Sequence, residues 1–341
     1  MSSTSLRTLD ALVQAELVPG DPELVAVVQR FAVGVTEHVA EQLRQEGGAG
    51  PLARQYLPTV AELDIQPQER ADPIGDAAHA PVPGIVHRYP DRVLLKAVHV
   101  CPVYCRFCFR REQVGPDGEM LDRAALDAAV AYIAENPGIR EVILSGGDPL
   151  VMSPGRLAPL VQSIGALPHV DLLRIHTRVP VVDPAHITPE LIAALKGGPT
   201  PWLVLHVNHA SELVGAEQAI ADLVDAGIPM LSQSVLLAGV NDEISALEEL
   251  FRSLLKLRVK PYYLHQGDQA EGTGHFRVPI AKGQALMRAL RGRVSGMALP
   301  TYMLDIPGGF GKVPVGPVYA KRDGEHWQVL DPQGKGHQVP G

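Results

Sequence analysis

This chain predicts an α/β protein whose centre is a partial (β/α)6 TIM-like barrel, and three observations carry the prediction. Short apolar runs alternate with amphipathic stretches six times between residues 93 and 292, the pattern of parallel βα units with both sheet faces covered. Six units fall short of the eight that close a full barrel, so the sheet is expected to stay open. The cysteines and a Gly-Gly turn come directly after the first two runs, where parallel strands carry their functional loops.

Composition narrows the class. The 341 residues are 46% hydrophobic and 20% charged, ordinary for a globular protein with a large core. The formal net charge of −8 argues against a broad nucleic-acid surface while leaving room for a local basic site. Three cysteines in so long a chain make no disulfide framework. No basic-then-apolar signal opens the sequence and no apolar run approaches a membrane span, so a cytoplasmic protein is expected.

Residues 1 to about 70 read as helical, with Val25, Val28, Phe31 and Val35 at helical spacing and a Gly-Gly-Ala-Gly-Pro break after residue 46. This segment suggests no chemistry. Residues 72–84 are turn-rich and read as an extended connection. Strands are expected over 93–100, 141–144, 172–177, 202–207, 230–237 and 261–265. Helices are expected over 121–136, 154–167, 189–196, 216–226, 243–256 and 281–292. The tail leaves the alternation: a strand over 301–305, a glycine-rich turn leading to Lys312, and a hairpin around Asp323-Gly324. The implied division is a helical segment with its connection over 1–85, the partial barrel over 86–297, and a C-terminal segment over 298–341.

All three cysteines fall within Cys101-Pro-Val-Tyr-Cys105-Arg-Phe-Cys108. Thiolates are soft ligands for iron–sulfur clusters, zinc or Cu(I). Structural zinc and a [4Fe–4S] cluster both take four ligands, and the chain has no fourth cysteine, so a cluster here would keep one iron open to a small molecule. Buried core thiols are the plain alternative, but three cysteines crowded into an arginine-rich segment make poor core residues. Ser145-Gly-Gly-Asp148 follows the second strand; its glycines allow a close backbone approach and its acid can take a polar group. His206 and Gln233 end later strands, as do Asn208, His209 and Ser234, and all are expected to face the same mouth. Lys312, after Pro-Gly-Gly-Phe-Gly, could form a Schiff base if its pKa were lowered; taken alone it reads as a solvated loop lysine, which is what most lysines are.

The C-x3-C-x2-C spacing with Phe107 before the last cysteine resembles the cluster motif of the radical S-adenosylmethionine (SAM) enzymes. A longer series narrows the resemblance. His87-Arg-Tyr-Pro-Asp-Arg92, the cysteine motif, Ser145-Gly-Gly-Asp148, Gln233-Ser-Val-Leu-Leu-Ala-Gly-Val-Asn-Asp242, Pro261-Tyr-Tyr, Gly274-His-Phe-Arg277 and Asp305-Ile-Pro-Gly-Gly-Phe-Gly-Lys312 look, in that order, like the lysine 2,3-aminomutase family. The resemblance implies a radical SAM fold, a [4Fe–4S] cluster on Cys101, Cys105 and Cys108, and SAM on the open iron. SAM contacts would come from Ser145, Gly146, Gly147, Asp148, His206 and Gln233. It also implies pyridoxal 5′-phosphate (PLP) on Lys312, with Arg92, Tyr89 and His265 around that cofactor.

The reaction so implied is conversion of L-lysine to β-lysine by 1,2-amino migration, started by a 5′-deoxyadenosyl radical. Arg110 would pair with the substrate carboxylate, and Asp268 and Asp305 with its distal ammonium. An arginine fork suits a carboxylate, and paired acids suit a buried ammonium, so lysine is favoured over glutamate. An external reductant of flavodoxin or ferredoxin type and a homo-oligomer are further expectations. Three departures stand out. Phe310 interrupts the glycine run, His265 replaces a usual tyrosine, and the family's C-terminal extension is missing; the last two also resemble the branch supplying β-lysine for elongation factor P. The rivals are the same chemistry on arginine, ornithine or glutamate, a zinc-binding interaction protein, and a cluster enzyme without PLP.

Overall fold

The computed structural model describes residues 5–116 and 118–341. Four short helices come first, α1 (Leu9–Gln14), α2 (Glu23–Arg30), α3 (Glu37–Glu46) and α4 (Pro51–Tyr56). Thr36 caps α3 by accepting from Val39 N, and Gly47 ends it in the left-handed region. The barrel follows as β1 (Ile85–Tyr89), β2 (Arg92–Val98), α5 (Arg123–Glu135), β3 (Glu141–Gly146), α6 (Pro154–Gly165) and β4 (Leu172–Thr177). It continues with α7 (Val179–Val182), α8 (Pro189–Leu195), β5 (Trp202–His206), α9 (Glu217–Asp225), β6 (Met230–Leu236), α10 (Ile244–Lys256), β7 (Lys260–Gln266) and α11 (Ile280–Leu290). β8 (Thr301–Asp305) and β9 (Lys312–Pro314) complete the large sheet; β10 (Ala320–Asp323), β11 (His326–Leu330) and β12 (Gly336–Pro340) form a separate antiparallel meander.

Every expected barrel strand and helix is present, and no end differs by more than two residues. The sheet is wider than expected. It has nine strands in chain order, with β2 to β8 parallel and β1 and β9 antiparallel at its edges. The strand over 301–305, read as a departure from the alternation, pairs parallel with β7 as a seventh barrel strand. The expected hairpin around Asp323-Gly324 forms, and β12 adds a third strand to it.

Strand alternation decides the site. Val93, Leu95, Val142, Leu144, Leu173, Ile175, Leu203, Leu205, Leu264 and Tyr302 pack against the helices. The residues between them face inward, and many are polar: Lys96, Ser145, Arg174, His176, His206, Gln233, Tyr263, His265 and Asp305. Leu12, Leu24, Val27, Leu43, Leu52 and Tyr56 of the first four helices share the barrel's apolar core.

Candidate active site

The cysteine loop leaves β2 and is held from the N-terminal segment, which the sequence alone left without chemistry. Tyr104 N donates to Gly34 O at 2.9 Å and Arg106 N to Gln55 O at 2.8 Å. Glu62, fully buried, accepts from Arg106 Nε at 3.0 Å and also pairs with Arg111. Arg106 Nη1 donates to Ala32 O at 2.6 Å. A buried carboxylate between two guanidiniums is stable only while both are present.

Cys101, Cys105 and Cys108 are free and line one small cavity of about 40 Å³. Burial pushes all three thiols up, most strongly Cys101, where Asp148 and the other two sulfurs add to the effect. Thiolates so placed repel one another and need a cationic group between them. Three free thiols lining one cavity are a soft donor set that fits an iron–sulfur cluster. Arg178 Nη1 donates to Cys105 Sγ at 2.7 Å and pairs with Glu212.

The Gly-Gly turn after β3 docks on the backbone leading into Cys101. Gly147 N donates to Val98 O at 2.7 Å and Asp148 N to Val100 O at 3.0 Å. A Cβ on Gly147 would lie 2.3 Å from Val100 O, so no other residue fits. Asp148 differs from its expected role. Its carboxylate accepts from Thr177 Oγ1 at 2.8 Å, Leu150 N at 3.1 Å and Arg178 N at 2.6 Å, which fastens the turn to β4 and leaves little for a ligand. Ser145, Gly146 and Gly147 remain at the mouth. Among the described residues His206 Nε2 and His176 Nε2 are buried without a hydrogen-bond partner, and burial keeps both rings well below their ordinary pKa. Gln233 Nε2 lies 3.4 Å from His176 Nδ1. Orphaned ring nitrogens beside a glycine turn and the thiols fit a polar ligand such as SAM. Ser234, Asn208 and His209 do not face this mouth. Ser234 donates to Val207 O, Asn208 binds Gln55 and Val235 N, and His209 caps the next turn by accepting from Ser211 N; the strand's two-residue period turns Ser234 toward the helices.

On the far side of the barrel β8 and β9 form a hairpin that sets Lys312 opposite Asp305. Gly308, Gly309 and Gly311 turn the chain with φ near 90°, a conformation costly for other residues. Phe310, between them, is 80% exposed and points away from the site. Lys312 Nζ is 2.5 Å from Asp305 Oδ2, and Lys312 N donates to Tyr89 OH at 2.7 Å. Arg92 lies over the Tyr89 ring at 4.3 Å. His265 faces the barrel edge-on to Tyr263, kept neutral by burial and by Lys312. A lysine after a glycine-rich turn whose one large side chain, Phe310, is exposed, with an arginine and a tyrosine beside it, fits PLP.

Asp305 does more than meet Lys312. Arg88 Nη1 pairs with Asp305 Oδ1 at 3.0 Å and Arg88 Nη2 with Asp76 Oδ1 at 3.4 Å. Arg110 Nε and Nη2 both reach Asp76 Oδ2 at 2.9 Å. A chain of direct contacts, Lys312 to Asp305 to Arg88 to Asp76 to Arg110, thus joins the glycine hairpin to the cysteine loop. Asp76 lies in the stretch read as a mere connection; nothing in its local pattern marks it, because its partners are distant in sequence. Burial would raise its pKa, but Arg110, Lys96 and Arg88 hold it below the usual range. Asp268 and Asp305 line one cavity of about 300 Å³. Burial pushes Asp268 up to about 7, with Lys312 opposing and Asp305 assisting.

Comparison with known proteins settles the family. Residues 95–251 match the family model of the Radical SAM superfamily, and residues 287–331 match a second, Lysine-2,3-aminomutase. The L-lysine 2,3-aminomutase of Fusobacterium nucleatum is 40% identical over 308 residues, 90% of this chain and 72% of that one. The chain belongs to the lysine 2,3-aminomutase family. The L-lysine 2,3-aminomutase of Acetoanaerobium sticklandii is 41% identical over 89% of this chain and 74% of that one. The glutamate 2,3-aminomutase of Clostridioides difficile is 35% identical over 88% and 71%. As a family member, the chain is a radical SAM isomerase that moves an amino group within an amino acid, with a [4Fe–4S] cluster, SAM and PLP as its cofactors. No helix among the described residues is long and apolar enough to cross a membrane.

Proposed function

We propose that this chain is a 2,3-aminomutase whose substrate is L-lysine and whose product is β-lysine. The observation that carries the reading is the pair of acids. Asp268 and Asp305 share one cavity, and the contact chain from Asp305 leads through Arg88 and Asp76 to Arg110. An amino acid with a carboxylate at Arg110 and an ammonium at the two acids would lie along that chain, beside Lys312. A substrate with a second carboxylate in place of that ammonium, such as glutamate, would meet like charges.

In this reading Cys101, Cys105 and Cys108 hold the cluster, and Ser145, Gly146, Gly147, His206 and Gln233 border SAM. Lys312 holds PLP, flanked by Tyr89, Arg92 and His265. The bound cofactors supply the radical hydrogen transfer and nitrogen migration, and the protein supplies placement. Arg110 fixes the carboxylate end, and Asp268 with Asp305 fixes the other. Two anchored ends leave the reacting carbon little freedom, which is an effect of orientation. Asp148 positions the Gly-Gly turn from behind. The buried histidines stay neutral, so they offer hydrogen bonds without adding charge beside Lys312. An external one-electron reductant of flavodoxin or ferredoxin type belongs to the same proposal.

The test is anaerobic reconstitution with iron and sulfide, followed by dithionite, SAM, PLP and a panel of lysine, arginine, ornithine and glutamate. β-Lysine from lysine alone is expected. Turnover of another panel member in place of lysine would reassign the substrate.

A further inference from the structure

Lys96 has had no part in the chemistry so far, and its surroundings are unusual for a lysine. It stands on β2, five residues before Cys101, with Leu95 and Ala97 buried on either side of it. Its register partner on β3 is Ser145, at the start of the Gly-Gly turn. An ammonium has three donors. Among the described residues the hydrogen bond made by this one is to Gln113 Oε1, at 3.3 Å. Asp76 Oδ2 is 3.8 Å away and already accepts from Arg110. The side chain is 11% exposed, so water cannot readily supply what is missing.

Cations crowd the same few acids. Arg88, Lys96 and Arg110 all reach Asp76, Arg88 and Lys312 share Asp305, and Asp72 also acts on Lys96. Arg110 and Lys96 converge on the same oxygen of Asp76, so their heads are neighbours with donors to spare. A guanidinium fork beside an ammonium is a favourable setting for one carboxylate.

We propose that Lys96 is a second carboxylate-binding residue, which completes with Arg110 a two-cation clamp spaced by Asp76. The proposal rests on the reading of the chain as an amino-acid mutase. Two amino-acid carboxylates come to this mouth, that of the substrate and that of the methionyl part of SAM. Lys96 pairs in register with Ser145 and shares Asp76 Oδ2 with Arg110, so it adjoins a residue proposed for each.

The experiment compares the reconstituted wild type with Lys96→Met and Lys96→Arg. Lysine, and cadaverine, which has the same chain and amines but no carboxylate, are titrated while the PLP absorption band is followed. SAM affinity is measured separately by equilibrium dialysis. Lys96→Met is expected to bind lysine roughly tenfold more weakly or worse, the worth of one hydrogen bond to a charged group. Cadaverine affinity should hold, and Lys96→Arg should recover most of the loss. A loss confined to SAM assigns the clamp to the cofactor's carboxylate and also supports it. Unchanged affinity for both lysine and SAM, or equal losses for lysine and cadaverine with SAM unaffected, overturns the clamp. Should Lys96→Met fail to hold its cluster, Lys96→Gln, which keeps polarity without charge, is read the same way. If the wild-type band ignores lysine, the substrate reading fails; the clamp is then tested with whichever amino acid of the panel moves the band, and by the SAM arm.

Discussion

Asp268 offers a test in which the sign of a pH effect is set by burial. Its carboxyl ionises at about 7 in the folded protein, against an ordinary value of 3.8. A protonated Asp268 cannot compensate a substrate ammonium, so binding to the free enzyme should strengthen as pH rises through 7. Below that point only the ionised fraction is productive, and kcat/KM should fall by about tenfold per pH unit. Asp268→Asn removes the charge and the titration together. Its kcat/KM at pH 8 should drop roughly 30-fold or more, since losing one partner of a buried charge pair costs about 2–5 kcal/mol. The rising limb near pH 7 should vanish with it. Stability runs the other way. The unfolded carboxyl ionises near 4 and the folded one near 7, so the raised pKa adds stability that is complete below 4 and lost as pH rises through 7. The loss is at most about 4 kcal/mol at roughly 1.4 kcal/mol per unit. Cofactor-free Asp268→Asn should therefore melt higher than the wild type, by a wider margin at pH 8 than at pH 5. A flat wild-type profile between pH 6 and 8, or a limb that persists unchanged in the variant, would refute the assignment of that titration to Asp268.

Other perturbations test the scaffold. Glu62→Gln leaves Arg106 and Arg111 buried without their anion and should lower stability by about 3–5 kcal/mol, read as a shifted urea midpoint; a midpoint within error of wild type refutes the bracing role. Gly147→Ala drives a Cβ to 2.3 Å from Val100 O. About 1–3 kcal/mol of strain is expected, together with poor cluster incorporation by iron content, and normal iron loading would count against it. Lys312→Ala should keep the brown cluster chromophore while losing the PLP band on gel filtration; a retained band would move the PLP anchor elsewhere.

Much of the fold was legible because hydrophobic period is a local property. The run 172–177 alternates Leu173, Ile175 and Thr177 with Arg174 and His176, and β4 spans those same residues. The cysteine triplet, the Gly-Gly turn and the lysine after its glycines were equally plain, since each lies within a few consecutive positions. Local pattern misled where a side chain has two possible faces or competing partners. The Gly-Gly-Asp pattern offers the Asp148 carboxylate to a ligand, and in the fold that carboxylate accepts from Thr177, Leu150 and Arg178. Ser234 sits one residue from Gln233, and the strand turns it to the opposite side.

By itself the amino-acid order determined the secondary elements, their parallel sense and the donor types available for iron, SAM and PLP. It could not determine which charges meet. Asp76 is 34 residues from Arg110, and Arg88 is 217 residues from Asp305. Only the curl of the open sheet out to β8 and β9, with the first helices packed behind the cysteine loop, brings those groups together. Burial then sets their strength: removed from water, the same carboxylates and cations must choose partners, and that choice turns a row of strands into a site.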